Sequence, residues 1–235
     1  MDELANTRFD KQIAREEAQA AGKTVDAPDN LNQENSDVVS TEALDAVAMG
    51  ILPIVEISRQ CQGLITAMGV SVGLTGGAIM SKGSLAQKKK YGRDLLTLKK
   101  IGAWAITEPN SGSDAFGGMK STARRDGNGG YILNGSKTYI TNGPHADTLV
   151  FICRLEEEGV DNRDRKIVSF ILDAGMQGLE QSAPFKKVGI GSSPTGELFL
   201  TDVKAGPERL MGESEDGYGR SGEKSTFSTE RAGVA

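Results

Sequence analysis

The spacing of apolar residues changes at Gly102, and this change constrains the fold of the chain more than any other feature. Before Gly102 the apolar residues recur at helical spacing, as they do from Ile51 to Met68. After Gly102 short apolar segments alternate with polar residues and are separated by turns rich in Gly, Pro and Asn. The sequence therefore predicts an α+β fold, in which an N-terminal helical domain precedes an antiparallel β-barrel or β-sandwich.

The change in spacing divides the 235-residue chain into three regions. They are a helical region over 1–102, a β region over 103–210, and a linker with the start of a C-terminal helical domain over 211–235. Within the first region, residues 1–40 are polar, and we expect them to be poorly ordered apart from a helix over 8–21. A last helix is expected to begin at Lys224, so that only a short part of a third domain falls within the chain.

Helices and strands can be placed within these regions from the same spacing. Helices are expected over 41–49, 51–68, 69–80 and 85–98, and strands over 103–106, 120–125, 131–133, 137–141, 148–155, 167–172, 179–181 and 197–203. Asp126–Gly130 and Asn134–Gly135 each predict a hairpin turn between neighbouring strands. The lysines at 88–90 are interpreted as the solvated face of a helix.

Composition excludes several classes of protein. The net charge of −5 and the lack of a basic segment backed by aromatic residues argue against nucleic-acid binding. Cys61 and Cys153 form no disulfide or metal-binding pattern, and His145 lies in a turn, so no metal site is expected. No apolar run approaches the ~18 residues of a membrane span, and the N-terminus does not resemble a signal peptide. We therefore expect a cytoplasmic protein with no membrane span.

The first candidate for chemistry is the stretch Trp104–Asp114, in which a short buried strand leads into a loop of small polar residues. Pro109 and Gly112 break the strand, and several hydroxyl and amide groups surround Gly112. Such a loop can wrap an anion or the polar edge of a ring closely. It can equally be an ordinary turn with surface hydroxyls. The residues alone leave both interpretations open.

Two further stretches carry similar chemistry. In Lys137–Gly143, alternation along a strand places Tyr139 and Thr141 on one face, where they could hold a flat heterocycle by stacking and a hydrogen bond. Val188–Leu198 is a second polar loop that leads into a strand. The apparent dinucleotide fingerprint at 217–222 lacks the βαβ unit that it requires, so we reject it.

Together these stretches resemble a known family. The chain contains Thr-Glu-Pro-x-x-Gly-Ser-Asp, then Leu-Asn-Gly-x-Lys-x-Tyr-Ile-Thr-Asn-Gly, then Gly-x-x-x-Ser-x-Thr-x-Glu-Leu. In this order and spacing the motifs closely resemble the flavin-dependent acyl-CoA dehydrogenase family. The resemblance implies an N-terminal helical domain, a middle β domain and a C-terminal four-helix domain. It also implies FAD as cofactor, an acyl-CoA substrate, a role in fatty acid metabolism, an electron-transfer flavoprotein as partner and a homo-oligomer for the full-length protein.

The resemblance also implies roles for individual residues. Those at the flavin ring or its pyrophosphate would be Trp104, Ile106, Thr107, Gly112, Ser113, Tyr139 and Thr141. Tyr139 would lie beside the ring, and Thr141 would donate its hydroxyl toward flavin N5. The residues near the acyl-CoA would be Ser113 and Ser193. Gly191 stands where the family usually has an arginine, which is a departure from its pattern.

The reaction implied by the resemblance is α,β-dehydrogenation of an acyl-CoA thioester. A carboxylate would remove the proton at Cα while the hydrogen at Cβ leaves as hydride to flavin N5. Glu230 is the candidate base, because the pair Glu230-Arg231 falls where isovaleryl-CoA-like members carry theirs. The alternative is that Glu230 is an ordinary surface residue on a terminal helix.

Two other interpretations of the chain compete with an enzyme. The chain could be a catalytically inactive fragment, or a binding module derived from an acyl-CoA dehydrogenase that kept the β domain. It could also be an unrelated β-barrel that binds a small anionic ligand.

Overall fold

The computed structural model describes residues 2–22, 41–213 and 215. The helices are α1 (Asp2–Ala20), α2 (Thr41–Met68), α3 (Gly77–Lys82), α4 (Leu85–Gln87) and α5 (Arg93–Leu96). Two π-helical segments, Gly69–Gly76 and Lys88–Gly92, lie between them. The prediction of a helical region before the β region is therefore confirmed. The expected disorder at 22–40 falls largely outside the described residues, as does the helix expected from Lys224.

Helix α1 is polar, yet it packs on the other helices. Phe9 and Ile13 are buried in a small cluster with Met80. The Nζ of Lys88 lies 2.8 Å from a carboxylate oxygen of Glu16 on α1. Lys88 is buried, so the prediction of a solvated lysine face was wrong at this residue, because α1 covers it.

Helix α2 differs in its two halves. It contains Pro53 and leaves helical geometry at Cys61, where φ is −154° and ψ is 83°. Before this kink large apolar side chains face solvent, namely Val47, Met49, Ile51, Leu52, Ile54 and Val55. Within the described residues one helical stretch, Val47–Lys82, is long and apolar enough to cross a membrane, with a mean hydropathy of 1.6. Core helices of globular proteins meet the same criterion, and 39% of the most apolar part is buried here.

The β region is one seven-stranded sheet. Its strands are β1 (Gly102–Ala105), β2 (Thr122–Arg125), β3 (Tyr131–Thr141), β4 (Thr148–Leu155), β5 (Ile167–Asp173), β6 (Leu179–Gln181) and β7 (Thr195–Ala205). The order is β1-β4-β2-β3-β7-β6, and β5 pairs with β4. Among the described strands no pairing joins β5 to β6, so the sheet is open and sandwich-like rather than a closed barrel.

The expectation of a purely antiparallel sheet was wrong. Strands β1 and β2 both pair with β4 in parallel, through Ala105 opposite Phe151 and Thr122 opposite Arg154. Turn signals predict pairing only between strands that follow each other in sequence. Here a long loop separates β1 from β2, and both strands pair with β4. The sheet is therefore mixed.

The hairpin expected at Asn134–Gly135 does not form either. Residues 131–141 are a single strand, β3, whose register against β7 shifts between Leu133 and Gly135. A Cβ on Gly135 would lie only 2.2 Å from the hydroxyl oxygen of Ser121, so the glycine permits a close approach at an irregularity rather than a turn. The other expected hairpin, at Asp126–Gly130, is confirmed between the antiparallel strands β2 and β3.

Two clusters of apolar side chains form the core. The larger one lies within the β region and includes Leu133, Phe151 and Phe170. The second joins the helical layer to the sheet and includes Trp104, Ile79 and other residues of both regions. The second cluster fixes the start of the loop that follows β1.

Candidate functional site

The loop 106–121 leaves the sheet and returns to it at nearly the same place. Its two flanking strands lie end to end along β4, where their last and first partners are Phe151 and Arg154. Three residues of extended strand span about 10 Å, so the loop ends are held close together. Sixteen residues therefore project from a narrow base, a geometry suited to presenting backbone groups at its tip.

Glu108 closes the base of this loop. Its Oε2 accepts a hydrogen bond from the amide of Lys120 at 2.7 Å, and its Oε1 accepts one from the amide of Ser121 at 3.0 Å. Its own amide donates to the carbonyl of Ser111, and the amide of Ser111 donates back, each at 3.1 Å. One buried carboxylate thus joins the outgoing and returning segments of the loop.

Lys137 on β3 holds Glu108 and the backbone beside it. Its Nζ lies 2.9 Å from Oε1 of Glu108 and 3.0 Å from the carbonyl oxygen of Ile106. The next residue on β3, Thr138, donates its amide to the carbonyl of Thr107 at 3.0 Å. Three consecutive residues of the loop are therefore fixed by two consecutive residues of one strand.

The electrostatics of this pair follow from its burial. Burial alone would raise the pKa of Glu108, but the Lys137 charge and the donors from Ser121 and Lys120 outweigh it and hold that pKa below its ordinary value of 4.5. Burial lowers the pKa of Lys137, and the nearby Glu108 carboxylate opposes that effect. The carboxylate consequently stays ionised at neutral pH.

The tip of the loop is open. Gly112 and Ser113 are exposed, and a Cβ built on Gly112 would meet nothing within 4 Å. Below the tip, the Asp114 carboxylate accepts from the amide of Gly117 at 3.0 Å. The guanidinium of the buried Arg154 donates to the carbonyl of Phe116. The loop is thus secured at its base and along its return, while two small residues face solvent.

Beside the loop, β3 bulges at Tyr139. Thr138 and Tyr139 together oppose the single residue Glu197 of β7. Tyr139 has a φ of 56°, which is rare for an aromatic residue, and its side chain is 71% exposed. Its ring meets that of Phe185 edge to face, with centroids 5.7 Å apart. The regular alternation assumed for this strand is therefore interrupted, and the ring faces solvent.

Asn142 ties the end of β3 to three other segments. Its side-chain amide donates to the carbonyls of Ala67 and Gly102, both at 2.9 Å. Its backbone amide donates to the carbonyl of Pro194 at 2.7 Å. The half-buried Thr141 directly before it is thereby held near the start of β7, where it pairs with Thr195.

The third predicted stretch, Val188–Leu198, folds partly against the helical layer. Ser193 is only 1% exposed, and its carbonyl accepts from the Nζ of Lys187 at 2.5 Å. The neighbouring Ser192 has its hydroxyl 3.0 Å from the thiol sulfur of Cys61 at the kink of α2. The side chain of Ser193 is therefore buried, while Gly191, two positions before it, is exposed.

The structure brings some of the predicted site residues together and separates others. Thr107 lies close to Tyr139, because the amide of Thr138 donates to the carbonyl of Thr107. Gly112 and Ser113 lie at the tip of the loop 106–121. Trp104 is buried between the sheet and the helical layer. Glu230 lies outside the described residues. The roles assigned to these residues stay predictions.

Sequence reasoning missed Glu108, Lys137 and Asn142. All three lie inside the quoted motifs, but none of them was among the residues predicted to contact cofactor or substrate. A signal was present for Lys137, because a lysine at an inward position of a strand must bury its charge or find a partner. No spacing rule identifies Glu108 as that partner, since 29 positions separate the two residues.

Known proteins resemble the chain in sequence and in structure. The family profile described as "Acyl-CoA dehydrogenase, middle domain" matches residues 103–203. The short-chain-specific acyl-CoA dehydrogenase of Megasphaera elsdenii is 36% identical over 169 residues, which are 72% of this chain and 43% of that protein. A glutaryl-coenzyme A dehydrogenase in complex with glutaryl-CoA is similar with a TM-score of 0.65 and 31% identity, over 81% of this chain and 45% of that one. The FAD complex of PigA has a TM-score of 0.61 and 30% identity, over 66% of this chain and 39% of that one. The chain therefore spans less than half the length of each of these relatives.

Proposed function

We propose that this chain belongs to the acyl-CoA dehydrogenase family through its middle domain. On that basis it binds FAD and takes part in α,β-dehydrogenation of an acyl-CoA thioester. The observation that carries the proposal is the loop 106–121, which is secured at its base, presents Gly112 and Ser113 to solvent and is bonded through Thr107 to Thr138, the residue before the exposed Tyr139. The FAD complex among its structural relatives supports the choice of cofactor.

The residues present fit the cofactor at several points. The open tip at Gly112 and Ser113 offers backbone amides and a hydroxyl of the kind that bind phosphate oxygens. The solvent-facing ring of Tyr139 offers an apolar face to a flat heterocycle, and Thr141 supplies a hydroxyl on the same strand. When bound, the flavin would accept the hydride that leaves Cβ.

The remaining steps belong to groups that bind and deprotonate the thioester. Ser113 at the exposed tip would contact the acyl-CoA, and Glu230 would remove the proton from Cα. The buried Trp104 and Ser193 would support the cofactor loop and the substrate loop from behind. The proposal also includes reoxidation of the flavin by an electron-transfer flavoprotein and a role in fatty acid metabolism. It further includes a cytoplasmic location and assembly into a homo-oligomer.

A second function is a ligand-binding module that holds flavin or acyl-CoA without turnover. It is favoured by the exposed loop tip at Gly112 and Ser113, which can bind an anion without a catalytic base. Both functions use the loop 106–121, and they differ in whether a base reaches Cα.

A visible spectrum separates the two functions. Purified protein is mixed with FAD, freed of unbound flavin, and treated anaerobically with an acyl-CoA such as octanoyl-CoA. A retained flavin band that bleaches supports dehydrogenation, and a band that persists supports the binding module. Protein that retains no flavin contradicts dehydrogenation and a flavin-binding module, and leaves only a module that binds acyl-CoA.

The same spectrum tests the base. Glu230→Gln should stop the bleaching while leaving the flavin band. The matched control is Glu208→Gln, because the side chain of Glu208 is 67% exposed and lies beyond the end of β7. Equal bleaching in both variants would rule out Glu230.

A further inference from the structure

We propose that Lys137 and Glu108 are a positioning pair, which fixes the shape of the loop 106–121 and its placement against Tyr139. The effect of the pair on the loop stands on contacts within this chain. Its consequence for FAD rests on the function proposed above. Neither side chain is assigned contact with cofactor or substrate.

The pair is buried and well supplied with partners. The side chains of Lys137 and Glu108 are 0% and 6% exposed. Besides each other, they bind two amides and one carbonyl, which belong to the start and the end of the loop. A buried ion pair is a poor source of stability, because removing two charges from water costs about as much as their attraction returns. Its distinctive contribution is the geometry it imposes on the groups around it.

The pair acts where the base of the loop meets the strand that carries Tyr139. Lys137 holds Ile106 and Glu108, and the next residue, Thr138, holds Thr107 between them. Tyr139 follows directly in the bulge. The residues that hold the loop base therefore lie only one or two positions before the residue that carries the exposed ring, on the same strand. A change at Lys137 shifts the loop and the ring relative to each other.

The chain contains a matched control in Lys88. Its Nζ lies 2.8 Å from Glu16, nearly the same distance as in the Lys137–Glu108 pair. Lys88 is also buried, but it lies in the helical layer and joins α1 to the segment Lys88–Gly92. Lys88→Met removes a comparable ion pair without a direct contact to the loop.

The test is amide hydrogen exchange on the complete chain, with and without substitutions. The informative amides are those of Ser111 and Gly118, which bond to the carbonyls of Glu108 and Asp114 and touch neither charged side chain. Lys137→Met should speed their exchange at least tenfold. Lys88→Met should leave the loop amides at the wild-type rate.

A double variant distinguishes positioning from stability. Glu108→Leu with Lys137→Met replaces the pair by apolar side chains, which is often neutral for the fold as a whole. We expect the fluorescence of Trp104, the only tryptophan in the sequence, to stay that of a folded core while the Ser111 and Gly118 amides remain about tenfold faster. Wild-type protection of these amides in the double variant would overturn the proposal, and so would a loop unchanged by Lys137→Met. If Lys137→Met alone does not fold, the double variant and Glu108→Gln carry the test.

An FAD titration addresses the consequence for the cofactor separately. The double variant should bind FAD about tenfold more weakly than the wild type, and Lys88→Met should bind it equally well. Wild-type protein that binds no FAD would contradict the proposed function, while the exchange rates would still decide whether the pair positions the loop.

Discussion

Two buried lysines show how the same ion pair serves different regions of the molecule. The Lys88–Glu16 and Lys137–Glu108 pairs have separations of 2.8 and 2.9 Å. Their surroundings differ, because the first pair keeps side chains that are 11% and 25% exposed, whereas the second is 0% and 6% exposed. Distance alone therefore does not reveal what a pair contributes.

The difference lies in what else each pair holds. Lys88 and its neighbour Lys89 each bind one glutamate of α1, and together they fasten a polar helix that has few apolar contacts of its own. Lys137 and Glu108 organise backbone groups of a loop that is otherwise open at its tip. The more exposed pairs of Lys88 and Lys89 attach α1 to the helical layer, whereas the buried Lys137–Glu108 pair shapes the loop of the candidate site.

Removing the charge at Lys137 should have the largest effect on stability. Lys137→Met leaves the Glu108 carboxylate buried without its cation, and we expect a loss of about 4 kcal/mol in the free energy of unfolding. Urea denaturation followed by circular dichroism would measure it. A loss no larger than that of Lys88→Met would remove the distinction between the two pairs.

Removing the carboxylate should cost slightly less and should depend on pH. Glu108→Gln leaves a buried lysine charge, with an expected loss of about 3 kcal/mol at pH 7. The folded pKa of Glu108 lies below 4.5, so its contribution is full above that pH and is lost as the pH falls through the folded value. The gap in unfolding free energy between wild type and Glu108→Gln should accordingly narrow below pH 4.5. A gap that stays constant down to acid unfolding would contradict this electrostatic account.

The helical pair should matter less. Lys88→Met removes a partly hydrated partner of Glu16, and we expect a loss of about 1 kcal/mol, because water still reaches that carboxylate. The loss should shrink further in 1 M salt, which urea titrations at two ionic strengths would reveal. A loss that equals that of Lys137→Met would show that burial does not separate the pairs.

The smallest expected effect on stability is at Tyr139. Asparagine tolerates positive φ better than tyrosine, so Tyr139→Asn should relieve backbone strain and change the unfolding free energy by only about 0.5 kcal/mol. FAD affinity should nevertheless fall, since the exposed ring is lost. Unchanged FAD affinity, measured by flavin fluorescence, would show that the ring does not face the cofactor.

The order of helices and strands could be predicted from sequence because it depends on local spacing. Eight strands were expected, and they lie close to the seven that occur, because 131–133 and 137–141 are parts of one strand. The turn at Asp126–Gly130 was placed correctly. The parallel pairing of β1 and β2 with β4 could not be predicted, because it joins residues about 30 to 45 positions apart that no turn signal connects. The hairpin predicted at Asn134–Gly135 was wrong for a related reason. The glycine is required by its close contact with Ser121 and not by a turn.

The candidate site was predictable only in part. Motif order located the loop 106–121 and Tyr139, which lie beside each other in the fold. The burial of Trp104 and Ser193 depends on how the helical layer packs on the sheet and on the loop before β7, and strand periodicity carries no information about that contact. The pairing of Lys137 with Glu108 likewise follows from the close approach of β1 and β3, which is a property of the whole sheet.

The proposal that the loop 106–121 binds flavin is tested most directly by amide hydrogen exchange of the complete chain with and without FAD. We expect slower exchange on adding FAD at residues 107–118 and 138–142, with β5 and the helix α1 unchanged. Equal exchange with and without FAD throughout 107–118, or protection confined to the helical layer, would contradict the claim that this loop is the seat of a flavin.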